Sequence, residues 1–288
     1  MKSLLLLLSI IGMCTVANSQ AITKNDDMPY NLNTVTAKWI LPADLNEISG
    51  VTWIDQDHLL VIEDIHACLY LIKLAGDKAT IEKKVVFSNK KADKKFDIED
   101  VTMVGNTVYA LYSHGKIFKI KDWSGHPAVK EIPTFLSKEN NTEGACYDKS
   151  TNSLLVACKN NSGIEDEKKS VKAIYRFDLN ADSMLHEPFM MIHKKDFKQK
   201  GGENIKFFPS AIAIHPLSGD IYILSTKGTK CLAVYTHAGE LKSFHVLSIP
   251  GLSQPEGICF SPAGVLYIST EARHGMPAAI YSFQIRIQ

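Results

Sequence analysis

The sequence has no excess of charge of either sign. Its 288 residues include 32 basic and 31 acidic side chains, for a formal net charge of +1. A nucleic-acid partner requires a basic surplus that neutralises phosphates, so none is expected. The serine-hydrolase elbow, the His-Glu-x-x-His zinc motif, the phosphate-binding loop and the dinucleotide fingerprint are also missing. These absences argue against serine hydrolases, zinc peptidases and nucleotide enzymes.

Long hydrophobic runs are missing too, except for one near the N-terminus. Lys2 is followed by an apolar stretch over residues 4–13 and by the small-residue site Ala17-Asn18-Ser19. This pattern is typical of a secretory signal peptide and predicts cleavage before Gln20. The stretch is too short to span a bilayer. We therefore expect export to the periplasm, the cell envelope or the medium, with a lipid anchor at Cys14 as an alternative.

Cysteine is scarce, and no Cys-x-x-Cys spacing suggests a metal site. Signal cleavage would leave five cysteines, an odd number. Cys146 and Cys158 are equidistant from Asn152, which lies in a predicted turn, so a simple hairpin would set them opposite one another. A disulfide is one alternative in an oxidising compartment. Buried free thiols in strands are the other, and we favour them.

Helical periodicity is absent as well. Apolar segments are short, rich in β-branched and aromatic residues, and separated by Gly, Pro, Asn and Asp, which predicts an all-β chain. We divide it into a signal peptide (1–19), a flexible N-terminal segment (20–33) and one β-propeller domain (34–288). Two polar insertions, 160–172 and 193–206, are predicted to be mobile surface loops.

The propeller prediction comes from an internal repeat. Five segments begin alike and continue through a turn into a second and a third strand-like run. Their aligned positions 49, 99, 143, 210 and 256 are 50, 44, 67 and 46 residues apart, and propeller repeats run about 40–50 residues. We predict five blades, with six as the alternative. The strand-like residues 35–41 precede the first repeat and are predicted to pair with the last blade, closing the ring.

The blade entries ISGVTW, IEDVTM, TEGACY and PEGICF, and the second strands LLVIED, VYALYSHGKIF and VLYISTEA, resemble the SdiA-regulated, YjiK-like family of β-propellers. That family is distantly similar to NHL-type propellers. The similarity covers roughly residues 35–287. It implies a five-bladed, secreted or envelope-associated bacterial protein with a calcium site, and it carries no catalytic signature.

Aligned entry residues should converge on one end of the central channel, here called the channel mouth, because first strands line the channel of a propeller. Three of the five entry positions are carboxylates and two are hydroxyls. Facing carboxylates repel, a hard cation relieves the repulsion, and oxygen ligands favour calcium over zinc. Alternatively, the glutamates accept hydrogen bonds from neighbouring backbones. The entry residues are Ser49, Glu99, Glu143, Ser210 and Glu256, and the predicted metal ligands are Glu47, Glu99, Glu143 and Glu256.

Residues at the ends of the second strands should reach the same mouth. They carry charge of both signs, which suits an anionic or polyhydroxylated ligand beside a metal. His114 is the candidate acid or base, since imidazole titrates at about pH 6.5; an exposed loop histidine with no catalytic role is the alternative. The predicted ligand-binding residues are Glu63, Asp64, His114, Lys159, Lys227, Glu271 and Arg273.

Two functions from different classes fit these features. The first, which we favour, is a non-catalytic binding protein whose mouth holds a small molecule, a glycan or a protein. The second is a calcium-dependent hydrolase of the lactonase, esterase or phytase type, which would need a metal with an open coordination position and a base near the substrate. In either case we expect a monomer.

Overall fold

The computed structural model describes residues 28–88, 96–165, 167 and 170–286. The predicted signal peptide, Cys14 and residues 20–27 lie outside the described residues. Within this part of the chain, no helix has the length and apolar character needed to cross a membrane.

The chain is built from short antiparallel strands, as the sequence predicts. The described residues form twenty strands, one short α-helix and a 3-10 turn at Ala43–Leu45. The strands in chain order are β1 Ala37–Ile40, β2 Ile48–Trp53, β3 His58–Glu63, β4 Cys68–Ala75, β5 Lys78–Val86, β6 Ile98–Val104, β7 Thr107–Tyr112, β8 Ile117–Lys121, β9 Ala128–Ile132, β10 Thr142–Asp148, β11 Ser153–Cys158, β12 Lys172–Asp178, β13 Ser183–Ile192, β14 Pro209–Ile214, β15 Ile221–Ser225, β16 Cys231–Tyr235, β17 Leu241–Val246, β18 Pro255–Phe260, β19 Leu266–Thr270 and β20 Ala279–Phe283. The helix, α1, is Lys194–Gln199.

Three sheets contain four consecutive strands each: β6 to β9, β10 to β13 and β14 to β17. The remaining eight strands form one sheet in the order β18, β19, β20, β1, β5, β4, β3, β2. Its two halves meet through a single residue pair, Ile40 with Lys78. The first strands contact one another in a closed ring, from β2 through β6, β10, β14 and β18 back to β2. First strands closed into a ring, each followed by further antiparallel strands, form a β-propeller.

The second strands explain why the sequence contains short, unbroken apolar runs. Strands β11, β15 and β19 are buried along their whole length. Each is covered on both faces by neighbouring sheets, so it shows no alternation of polar and apolar residues. The fourth strands β9 and β17 are largely exposed or half-buried. The hydrophobic core therefore lies between the sheets.

The predicted closure by the N-terminal strand is confirmed. Strand β1 pairs antiparallel with β20 over four residue pairs, from Ala37–Ser282 to Ile40–Ala279. Residues before β1 extend this contact: the segment predicted to be flexible is described over 28–33, and Met28, Tyr30 and Leu32 within it are buried. We call residues 28–41 the N-terminal latch.

The predicted opposition of Cys146 and Cys158 is wrong. Asp148 pairs with Ser153 across a four-residue connection, so Cys146 faces Leu155 and Cys158 faces Thr142. The connection is centred before Asn152, and this shifts the register. Both cysteines are buried free thiols, which was the favoured alternative.

Close packing of the first strands makes Gly50 sensitive to any side chain. An added Cβ would lie 2.6 Å from both Cα and Oδ1 of Asp100 on the neighbouring strand. We expect Gly50→Ala to lower the free energy of unfolding by about 1–3 kcal/mol, because overpacking forces backbone shifts. Thermal and urea unfolding measure the change. Gly105→Asn, at an exposed turn with space around the added Cβ, is the control, and equal stability of the two variants would contradict the packing argument.

Candidate functional site

The channel mouth brings three predicted metal ligands together around a lysine. The Nζ atom of Lys159, at the end of β11, lies 2.5 Å from Oε2 of Glu143. Glu99 and Glu256 are also close enough to interact electrostatically with Lys159. Asn141 donates a hydrogen bond to the other oxygen of Glu143 at 2.5 Å. We call Lys159, Glu99, Glu143 and Glu256 the Lys159 cluster.

One ammonium does not balance three carboxyl groups, of which Glu143 and Glu256 are buried and Glu99 is half-buried. Burial raises the pKa of Glu256 to about 8, opposed by Lys159 and supported by Glu143. The pKa of Glu99 is raised well above its usual range by burial and then by the nearby carboxylates of Glu143 and Asp97. Burial disfavours the charged form of Lys159, but its carboxylate neighbours more than offset this and raise its pKa. With a pKa of about 8, Glu256 holds its proton at neutral pH.

A second group of charges lies beside the cluster. Glu271 is buried and forms an ion pair with Arg273 at 3.0 Å. Burial raises the pKa of Glu271 to about 7, with the Arg273 guanidinium acting in the opposite direction. Glu47 and Asp64 interact electrostatically with Glu271. Glu47 was predicted to join the other metal ligands, whereas its electrostatic contact is with Glu271, which in turn interacts with Glu256.

Other predicted ligand-binding residues have structural partners. Both oxygens of Glu63 accept backbone hydrogen bonds from the following loop, at Ile65 and His66, at 2.9 Å. The ring of His114 packs 4.8 Å from that of Tyr112. Lys227 is exposed, with its ammonium 5.5 Å from the ring centre of Phe208. These three residues lie outside the Lys159 cluster.

The two entry hydroxyls connect neighbouring first strands. Ser49 donates to the backbone oxygen of Ile98 at 2.8 Å, and Ser210 donates to the backbone oxygen of Pro255 at 3.5 Å. Around the ring, Glu99 and Glu143 stand on the adjacent strands β6 and β10, whereas Glu256 on β18 stands between the two strands that carry the hydroxyls, β14 and β2. The mouth is therefore asymmetric in charge.

Asp100 is a buried acid that the sequence reasoning missed. Its oxygens accept hydrogen bonds from the backbone amides of Val101 at 2.8 Å and Ala145 at 2.7 Å. Burial raises its pKa well above the usual range. Its side chain fills the space beside Gly50, which has no Cβ. The alignment of the five repeats could have indicated this acid, because the other four repeats have glycine or alanine at its position.

The carboxylates of the mouth suit a hard cation. The positively charged ammonium of Lys159 already lies among them. Carboxylate oxygens are the ligands that calcium prefers. Within the described ranges, however, no three acidic, histidine or cysteine side chains are preassembled as a metal site. The ammonium of Lys159 takes the central place, so a metal ion at the cluster would have to compete with it.

Comparisons with known proteins give a family and a fold. A family model described as SdiA-regulated matches residues 28–284. No curated protein sequence matches the chain significantly. The structure of Myxococcus xanthus glutaminyl cyclase is similar with a TM-score of 0.58 and 11% identity, over 87% of this chain and 95% of that one. A putative gluconolactonase gives a TM-score of 0.51 and 13% identity, over 85% and 77%. At such identities, the likeness concerns the fold alone.

Proposed function

The chain belongs to the SdiA-regulated family, and on that premise we propose that it is an exported propeller whose channel mouth binds a positively charged ligand. The observation that carries this proposal is the excess of buried carboxyl groups over ammonium in the Lys159 cluster. A cation at this place would compensate the carboxylates when they ionise and would lower the cost of burying their charge. The mouth is not sealed, since the side chain of Lys159 is 15% exposed.

We propose five blades for this propeller. The eight-stranded sheet has only one residue pair between β1 and β5, so its halves count as two blades. With the three four-stranded sheets, the halves make five. The closed contacts among five first strands support the same number.

Calcium is the cation we propose for the mouth, with Glu99, Glu143 and Glu256 as its ligands. Glu47, which interacts electrostatically with Glu271, is the fourth proposed ligand. Calcium sites of extracellular modules have dissociation constants of about 10⁻⁴–10⁻³ M. Export to the periplasm, the cell envelope or the medium is predicted from the N-terminal sequence and would suit a site of that strength.

Calcium should raise the melting temperature more at pH 9 than at pH 7. Glu256, whose pKa is about 8, is mostly protonated at pH 7 and must lose that proton to bind a metal. Its ionised fraction increases roughly tenfold between the two pH values. With 10 mM calcium at pH 9 we expect an increase of about 3 °C by mass action. Differential scanning fluorimetry at both pH values measures it.

Three variants sharpen this test. Glu256→Gln should abolish the calcium effect, while Glu240→Gln, an exposed turn acid, should preserve it. Because the ammonium of Lys159 competes for the same place, Lys159→Met should respond to calcium at lower concentration than the wild type. A wild-type protein that does not respond at either pH would refute calcium binding at the mouth.

A further inference from the structure

A cavity of about 190 Å³ lies outside the channel mouth. Its walls come from the start of β12, the end of β13, α1 and the segment before β14. It shares no lining residue with the Lys159 cluster. The helix lies in an insertion that was predicted to be a mobile loop, and its Phe197 is buried against Phe207, with ring centres 4.8 Å apart.

The lining of this cavity combines apolar rings with positive charge. The apolar part of the wall consists of Phe197, Ile205 and Phe207. The cavity is also lined by three lysines, Lys172, Lys194 and Lys206. Among the described residues that line it, none is acidic. His193 also lies at the wall, where its backbone amide donates to Asp196 at 2.9 Å. A cavity lined by aromatic rings and lysines suits an apolar body that carries a negative charge.

Lys172 is the buried charge in this wall. Only 3% of the residue is exposed, and Nζ donates to the backbone oxygen of Asn160 at 2.7 Å. Its ammonium lies 4.7 Å from the ring centre of Phe208. Burial lowers the pKa of Lys172 to about 8, and the nearby Lys227 contributes in the same direction. An anion beside Nζ would favour the charged form that burial disfavours.

A second cavity of about 400 Å³ adjoins the first and shares Lys172 and Phe208 with it. Its lining is more polar and includes Lys138, Glu139 and Asn161. Lys172 therefore stands between an apolar compartment and a polar one. A ligand with an apolar body and a charged head would match that division.

We propose that the cavity binds a small monocarboxylate with a single-ring or branched apolar body. The body packs against Phe197, Phe207 and Ile205, and the carboxylate pairs with Lys172, with Lys206 at the rim. The volume fits, since an apolar cavity of about 150 Å³ in another protein holds benzene. This site is additional to the proposed cation site of the mouth.

Benzoate is the probe, and benzamide is its neutral counterpart of the same shape. In calorimetric titrations of the folded chain we expect benzoate to bind with a Kd of about 0.1–1 mM. Benzamide should bind at least about tenfold more weakly, because it lacks the charge that pairs with Lys172. Methyl NMR should show that benzoate shifts the signals of Ile205. No binding of benzoate at 10 mM, or equal binding of the two compounds, would overturn the proposal.

Substitutions locate the site. Lys172→Met keeps the length of the side chain and removes its charge, so benzoate should bind about tenfold more weakly. Lys206→Gln, at an exposed position, should weaken benzoate binding by a smaller factor. If Lys172→Met fails to fold, Lys206→Gln alone tests the proposal. Lys149→Gln, an exposed lysine outside the cavity, should leave binding unchanged. If Lys206→Gln and a folded Lys172→Met both bind benzoate like the wild type, the proposal fails, whatever the outcome of the calcium titration.

Discussion

Replacing Lys159 by methionine is expected to destabilise the protein by about 3–5 kcal/mol at pH 8. The substitution preserves the aliphatic packing of the side chain but removes the ammonium 2.5 Å from Glu143. Glu143, with a side chain only 6% exposed, is then left as a buried carboxylate without its counter-charge. Glu99 and Glu256 lose the same compensation. Chemical denaturation with intrinsic fluorescence measures the loss.

The destabilisation should be smaller at pH 5. The folded state raises the pKa of Glu256 from 4.5 to about 8, so between these values the folded protein holds a proton that the unfolded chain has released. Stability from this group is therefore complete below pH 4.5 and falls as the pH rises towards 8. Lys159 holds the pKa of Glu143 down against the effect of burial, so its removal raises that pKa, and the extra loss of stability accumulates between the wild-type and the variant value for Glu143. The cost of the variant therefore increases from pH 5 to pH 8.

A double substitution separates lost charge from lost packing. Lys159→Met combined with Glu143→Gln removes both members of the ion pair, and it should recover much of the stability at pH 8. Lys149→Met, at an exposed position, is the matched control and should change stability little. If Lys159→Met is as stable as the wild type at both pH values, the ammonium does not compensate the carboxylates.

The repeat made most of the fold predictable. Each second strand is an unbroken apolar run because two sheets cover it, and such runs are visible in the sequence. Residues 35–41 lacked a hairpin partner nearby, and that absence correctly predicted their pairing with the last repeat. Helix α1 was missed because it has only six residues and one buried apolar side chain, Phe197. A helix that depends on a single tertiary contact shows no periodicity.

The candidate site was predictable where it follows the repeat. Glu99, Glu143 and Glu256 occupy the same position of three repeats, so convergence at the channel followed from alignment. Glu47 interacts electrostatically with Glu271, and its place among the ligands stays a prediction. The central position of Lys159 depends on the reach of a long, flexible side chain. Alignment places its Cα atom but not its ammonium.

The backbone conformation at the mouth was also not predicted from the sequence. The prediction that Glu47, two residues before the entry residue Ser49, joins the other ligands assumes an extended strand, in which alternate side chains lie on one face. Asp97 and Asn141 have φ values of 55° and 47°, so the chain turns there instead. Asparagine and aspartate tolerate this conformation better than most residues. Asn141 nonetheless reaches Glu143, through the turn rather than along a strand.

Deleting the N-terminal latch should have the largest effect on the fold. A chain that begins at Pro42 lacks β1 and leaves the edge of β20 unpaired. It also loses the buried side chains of Met28, Tyr30 and Leu32, each of which contributes about 1.5–3 kcal/mol on burial. Their sum is comparable with the total stability of about 5–15 kcal/mol of an ordinary domain. We expect this chain to have no cooperative thermal transition, or one at least about 10 °C lower.

A chain that begins at Met28 is the matched control, because it retains the whole latch, and it should melt like the full-length protein. A synthetic peptide of residues 28–41, added to the shorter chain, should restore part of the transition by pairing with β20. Trp39, stacked on Tyr267 with ring centres 6.3 Å apart, would report that pairing by its fluorescence. Equal melting of the chains that begin at Met28 and Pro42 would mean that the ring closes without its N-terminal strand. In that case the pairing of β1 with β20 would be an accessory contact, and the contacts between β18 and β2 would hold the ring closed by themselves.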